Sequence, residues 1–130
     1  VFRNAVSHGI ESESERLAQG KQSKGKVQCR IRGDKLSFTI EVKDDGKGID
    51  VERLAKRFKG EQSEHEGLNV KEMLSRIFEL GISLEPHVSM DSGRGIGMAE
   101  VLSQLKMLDG KWRVETESGQ GTSFTFTIPL

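Results

Sequence analysis

Apolar residues recur along the chain with two periods, and the switches between them predict the elements. Val1 with Ala5, and Phe2 with Val6, are spaced as on one helical face, so residues 1–10 read as an amphipathic helix already under way at Val1. A stretch rich in Gly, Lys and Ser follows from Glu11 to Lys26, with a short helix predicted around Ser14 to Gln19. Val27, Cys29 and Ile31 then alternate with polar residues, RGDK turns the chain, and Leu36, Phe38, Ile40 and Val42 alternate again, which predicts a β-hairpin with one buried face. Helical patches are expected at Val51 to Phe58 and Val70 to Leu80, around a polar centre that sustains no periodicity. The whole region 51–92 therefore reads as a mobile covering loop rather than core. Met98, Val101, Leu102, Leu105 and Leu108 form a helical stripe. Trp112, Val114 and Thr116 alternate, ESGQG turns the chain, and Phe124, Phe126, Ile128 and Leu130 alternate to the end. The pattern predicts a two-layer α/β fold with helices on one face of a mixed, mostly antiparallel sheet.

Composition narrows the classes of function. At 130 residues the chain suits one domain. Its 20 basic residues balance 20 acidic ones, and no long apolar run interrupts them, which argues against nucleic-acid binding and against membrane insertion. The single cysteine, Cys29, cannot form an internal disulfide and is expected as a small buried apolar residue, in a reducing, cytoplasmic setting. The strand aromatics, with Met73, Met98 and Met107, are expected to be packing material.

The candidate chemistry lies in glycines. DSGRGIGM sets Gly93, Gly95 and Gly97 at alternate positions just before a predicted helix, where a backbone able to approach an anion closely meets unpaired helix N–H groups. Alone the string is weak, but four motifs occur in order: RNAVSHGIE on the first helix, DDGKG after a strand, GRGIGM opening a later helix, and GQGTSF opening the last strand. Together they resemble the ATP-binding domain of histidine kinases, in the superfamily that also holds gyrase, a mismatch-repair ATPase and a heat-shock chaperone. HGIE, RLAQGK and RIFELGIS look specifically like the CheA-type chemotaxis kinases and their hybrid relatives. Residues 1–130 would then be one ATP-binding catalytic domain of the Bergerat type, with 51–92 as its ATP lid.

The resemblance implies a set of roles. Asp44 would accept a hydrogen bond from the adenine amino group, with Gly46, Gly48 and Ile49 around the base and Asp45 at the variable position of the motif. Asn4 would offer an amide oxygen to Mg²⁺, a hard ion that binds mainly phosphate oxygens and water. Gly93, Arg94, Gly95, Ile96, Gly97 and Met98 would face the phosphates, and Thr122 would stand near the adenine. His8 is also placed at the nucleotide, with Arg3 and Lys47 as further phosphate neighbours. No residue is assigned a catalytic role. The sequence departs from the CheA pattern at Ser7, Leu80 and Ala99, where that pattern has aspartate, proline and an acidic residue, which puts catalytic competence in question.

The expected function is to position Mg-ATP for phosphoryl transfer to a histidine on another domain of a two-component system. A phosphoacceptor histidine domain and a response regulator are the implied partners, and the longer protein would be dimeric through other regions. A regulatory module that binds nucleotide without transfer is the alternative, as is a gyrase-like ATPase, for which Glu11 and Glu100 are poor matches as the water-activating glutamate. HEGLN, from His65 to Asn69, formally matches the pattern around phosphoacceptor histidines, but Gly67 argues against the long helix such a site requires.

Overall fold

The computed structural model describes residues 1–59, 69–79 and 96–130. They fall into two compact units, Val1–Asp50 with Gly110–Leu130, and Val51–Asp109.

The first unit begins with α1 (Phe2–Asn4), a single turn that widens into a π-helical stretch over Ala5–Gly9, closed by the Ile10 N–H donating to the Ala5 carbonyl at 2.9 Å. The predicted amphipathic helix is thus two short pieces, with Ala5 buried and Val6 exposed. Helix α2 (Glu13–Ala18) starts at a reciprocal cap: the Ser12 hydroxyl accepts from the Glu15 N–H, and the Glu15 carboxylate accepts from the Ser12 N–H.

Four strands follow, β1 (Val27–Gly33), β2 (Ser37–Asp44), β3 (Lys111–Glu117) and β4 (Gly121–Pro129), in the order β1-β2-β4-β3, with every pairing antiparallel. The register aligns Ile31, Ile40, Phe126 and Trp112 across the sheet, and beside them Cys29, Val42, Phe124 and Val114, so the alternating apolar positions of all four strands share a face. Phe124 stacks between Trp112 and Phe126, with ring centroids 6.4 Å apart in each pair. Burial is concentrated on the central strands, at Val42 and Phe126.

The outer strand departs from expectation. Cys29 is exposed rather than buried, and Ile31 keeps 60% of its surface, because β1 has, among the described residues, a neighbouring strand on one side only. The hairpin turn is held by Asp34, whose Oδ1 accepts from the backbone N–H groups of Leu36 and Ser37 at 2.7 and 2.8 Å.

The second unit holds α3 (Val51–Lys59), α4 (Val70–Glu79) and α5 (Ile96–Met107). Among the described residues, Leu54, Met73, Leu74, Ile77, Met98 and Leu105 are its buried apolar side chains. Leu108, expected in the helical stripe, and Met107, expected as packing material, are exposed because they lie just past and at the last residue of α5. Asn69 caps α4: its Oδ1 accepts from the Glu72 N–H at 3.0 Å, and Glu72 Oε2 accepts from the Asn69 N–H at 2.9 Å. Asn69, the last residue of HEGLN, is therefore the cap at which α4 starts. His65 itself, like the rest of 60–68 and all of 80–95, lies outside the described residues, so the covering-loop reading of 51–92 is met here only by two helices. Among the described residues, no helix is long and apolar enough to cross a membrane.

Candidate functional site

The segment that leaves β2, Asp44 to Ile49, is tied down on three sides. Asp44 is the last residue of the strand and only 8% exposed. Its Oδ1 accepts two backbone N–H groups, from Gly46 at 2.9 Å and from Thr122 on β4 at 3.3 Å. Among the described residues no donor reaches Oδ2. Every fully occluded side-chain polar atom among them has a partner, so Oδ2 is an acceptor reachable from outside. Burial pushes the Asp44 carboxyl above the usual aspartate range; the two backbone N–H groups pull against this, and the Asp45 and Glu11 charges add to the rise.

The glycines here answer to close approach and to backbone angle. At Gly46 a methyl group would overlap the Gly9 carbonyl at the end of the π-helical stretch, and that same carbonyl accepts the Lys47 N–H at 2.9 Å. Gly48 has φ +78, and a side chain there would also meet the Glu117 carbonyl. The Gly119 N–H donates to the Lys47 carbonyl at 2.8 Å, which fastens the loop to the β3–β4 turn.

Thr116, an inward position of β3 that the sequence marks only as part of the strand alternation, completes this side. Its hydroxyl oxygen accepts the Ile49 N–H at 2.8 Å and lies 3.1 Å from the hydroxyl of Thr122. Its only sequence signal is a polar residue in the apolar phase of the strand, after Trp112 and Val114.

Below the loop lies a group of charges, Glu11, Arg16, Lys21 and Asp45, to which the sequence assigns no shared role. Arg16 is 1% exposed. Its guanidinium donates to the Gln22 carbonyl at 2.7 Å, to Glu11 Oε2 at 3.0 Å, to the Asp45 carbonyl at 3.2 Å and to Asp45 Oδ2 at 2.9 Å. The Lys21 ammonium pairs with Glu11 Oε1 and donates to the carbonyls of Asp45 at 3.0 Å and Gly46 at 2.9 Å. Burial pushes the Glu11 carboxyl up, but its hydrogen bonds and the two cations outweigh this and hold it below the usual range. Asp45 is lowered likewise, its burial outweighed by the Lys26 N–H and Arg16. Far from an idle position of the motif, Asp45 joins α2 to the loop. RLAQGK, noted only as a family likeness, contains both Arg16 and Lys21.

The first unit thus brings together Asp44, Gly46, Gly48, Ile49 and Thr122, with exposed His8 at the end of the π-helical stretch and Asn4 one turn earlier. Ile96, Gly97 and Met98 begin α5 in the second unit, where Gly97 is exposed and Met98 buried. Gly93, Arg94 and Gly95 lie outside the described residues. Among the described residues, no three His, Cys, Asp or Glu side chains are grouped to hold a metal ion.

A sequence model of the histidine kinase-, DNA gyrase B- and HSP90-like ATPases matches residues 1–130. The chain belongs to this family. Members of this ATPase family bind ATP, and the resemblance drawn from the four motifs holds over the full length. Among its relatives, the gliding motility regulatory protein of Myxococcus xanthus is 36% identical over 133 residues, covering 99% of this chain and 17% of that protein. The sensor histidine kinase CheAY of Helicobacter pylori is 37% identical over 134 residues, covering 100% of this chain and 17% of that protein. This ATPase-family chain therefore spans about a sixth of the curated relatives it matches. In fold it is similar to the histidine kinase domain of the blue-light-activated kinase EL346 of Erythrobacter litoralis, with a TM-score of 0.51 at 18% identity over 98% of this chain and 38% of that one.

Proposed function

We propose that the chain is the ATP-binding catalytic domain of a two-component histidine kinase, and that Asp44 reads the adenine base. One observation carries the base reading: a buried carboxylate with one oxygen saturated by two backbone N–H groups and the other, among the described residues, left open as an acceptor. An amino group is the complementary partner for such an oxygen. Gly46, Gly48 and Ile49 would form the surrounding backbone, Thr122 stands beside Asp44, and His8 and Lys47 are exposed on the same unit. Asn4 would contribute one ligand to Mg²⁺, with phosphate oxygens and water as the others. The start of α5, with the preceding Gly93, Arg94 and Gly95, would take the phosphates, and 51–92 would cover them.

In this role the protein supplies orientation and charge stabilisation. The incoming histidine nitrogen forms the bond to the γ-phosphorus while the bond to the bridging oxygen breaks and ADP departs. The kinase reading takes further support from the CheA-type relatives. A water-activating ATPase is disfavoured, because both oxygens of Glu11 are engaged by Arg16 and Lys21, and Glu100 accepts from Gln104 on the exposed face of α5. The phosphoacceptor histidine domain, the response regulator and the dimer interface belong to other parts of the system.

Calorimetric titration with ATP and GTP tests the base reading. Guanine presents a carbonyl where adenine has its amino group, so two acceptors would face each other, and GTP is expected to bind roughly 10- to 150-fold more weakly. Asp44→Ala should lose a similar factor for ATP. Equal binding of both nucleotides, with Asp44→Ala neutral in a folded protein, would reject the base reading. Incubation with γ-labelled ATP and a phosphoacceptor domain tests the kinase reading: acid-labile label on that domain is expected, whereas free phosphate alone would mean an ATPase and neither product a binding module.

A further inference from the structure

We propose that Glu11, Arg16, Lys21 and Asp45 form a positioning device that sets the orientation of the Asp44 carboxylate, and through it the preference for adenine; the inference rests on the base reading of Asp44. The argument lies in two peptide planes. The Asp45 carbonyl and the Gly46 N–H belong to one trans peptide and point in opposite directions. Arg16 and Lys21 both donate to that carbonyl, at 3.2 and 3.0 Å, and the N–H on its far side donates to Asp44 Oδ1 at 2.9 Å. The next peptide repeats the arrangement: Lys21 holds the Gly46 carbonyl at 2.9 Å, and the Lys47 N–H on its far side donates to the Gly9 carbonyl at 2.9 Å.

Two cations thus fix the carbonyl side of two successive peptides, and the amide side of the first fixes Asp44. Glu11 and Asp45 balance the cations and lock their geometry. Glu11 bridges Arg16 and Lys21 with one oxygen each, while the Asp45 carboxylate takes Arg16 on Oδ2 and the Lys26 N–H at 2.8 Å on Oδ1. All three hydrogens of the Lys21 ammonium have acceptors, and two of these are loop carbonyls. A surface lysine placed only for solubility has no such arrangement. The cluster lies on the carbonyl side of these peptides, and its side chains make no hydrogen bond to Asp44 itself, so their hold on its orientation runs through the backbone. With the Asp45–Gly46 peptide free to tilt, Oδ1 loses one of its two donors, and the carboxylate no longer presents Oδ2 in one direction.

The test is Lys21→Met, which keeps the stem and removes the three donors, with Lys21→Arg as the conservative partner and Arg16→Lys as a second disruption. Lys21 lies at the rim of the cluster, with 18% of its side chain exposed, so Lys21→Met is the variant expected to stay folded. Affinities for ADP and IDP, whose bases differ by an amino group against a carbonyl, are measured well below the unfolding temperature. The wild type should prefer ADP. In Lys21→Met that preference should shrink roughly tenfold, with Lys21→Arg restoring most of it. The Gly46 amide proton resonance of the nucleotide-free protein should move in Lys21→Met and Arg16→Lys. In combination with Asp44→Asn, Lys21→Met should cost little more than Asp44→Asn alone. A merely structural role would lower the unfolding temperature and leave the ADP-to-IDP ratio and the cycle unchanged, which would overturn the positioning role. A wild type that binds both nucleotides equally would overturn the base reading itself.

Discussion

Two glycine-bearing regions of the molecule use the same residue for opposite reasons. In the loop after β2, a methyl group at Gly46 would run into the Gly9 carbonyl, and one at Gly48 into the Glu117 carbonyl, so the protein's own backbone demands glycine. At the start of α5, a methyl group on Gly97 would meet nothing within 4 Å among the described residues, and the backbone there is ordinary right-handed helix. Glycine in the first region closes a structure. In the second it is not required by the described protein, and in a helix it costs stability relative to alanine. The first region is built, and the second, among the described residues, leaves room.

The largest effect expected from this contrast is at Gly46. Gly46→Ala forces backbone against backbone, with no flexible side chain to yield, and should destabilise the free protein by about 3 kcal/mol or more. Urea unfolding with far-UV circular dichroism measures it. A midpoint equal to that of the wild type would mean that the loop does not lie against Gly9 as described.

The contrast also marks what the sequence could and could not disclose. Strand alternation is a local period, so β2, β3 and β4 were legible from Val42, from Trp112 and Val114, and from Phe124 and Phe126. Strand order is not local, and Cys29 and Ile31 have the same alternation as their partners while lying on the outer strand. The capped ends of α2 and α4 follow from Ser12 with Glu15 and Asn69 with Glu72, three residues apart, a signal that was present and not used. Arg16 was hidden for a different reason. An arginine in a charged helix reads as solvated, and only the fold brings Glu11 and Asp45 to it from opposite sides in sequence. The DDGKG and GQGTSF motifs were visible as strings, but the hydrogen bond from the Thr122 N–H to Asp44 spans 78 residues.

The intermediate effect separates two adjacent residues of the first loop. Asp44 is raised by burial, so the folded state holds its proton more tightly than the unfolded chain does. Its contribution to stability is full below the ordinary aspartate pKa and is lost as pH rises through the raised value. Asp45 and Glu11 are lowered, so their contribution is present above the ordinary carboxylate range and is lost as pH falls through their depressed values. Asp44→Asn should therefore stabilise the nucleotide-free protein near neutrality by about 1 kcal/mol, the scale of replacing a desolvated charge by a neutral group of the same shape. That gain should fade toward acid pH, where the wild-type carboxyl is itself neutral. Urea midpoints of both proteins between about pH 3 and 7 test the sign. A gain independent of pH would show that Asp44 is not the titrating group. The same variant should bind ATP more weakly, so stability and nucleotide affinity move in opposite directions at one residue.

The smallest effect, and the one that most sharpens the contrast, is at Gly97. Because the added methyl meets no described atom, Gly97→Ala should leave the fold intact and stabilise the free protein by up to about 1 kcal/mol, the helix preference of alanine over glycine. Gly97 is the second residue of α5, where helix N–H groups have no intrahelical acceptor and can face an anion. If the phosphates of ATP lie against this turn, the methyl occupies space that they need, and the variant should bind ATP more weakly while adenosine, which has no phosphates, binds as before. Titration of Gly97→Ala with both ligands, beside a urea unfolding curve, separates the outcomes. A more stable protein that discriminates against ATP alone assigns the room at Gly97 to the phosphates. Equal losses for ATP and adenosine would place the residue away from them. A destabilised variant would mean that Gly97, like Gly46, is closed in by protein, and the contrast between the two regions would fall.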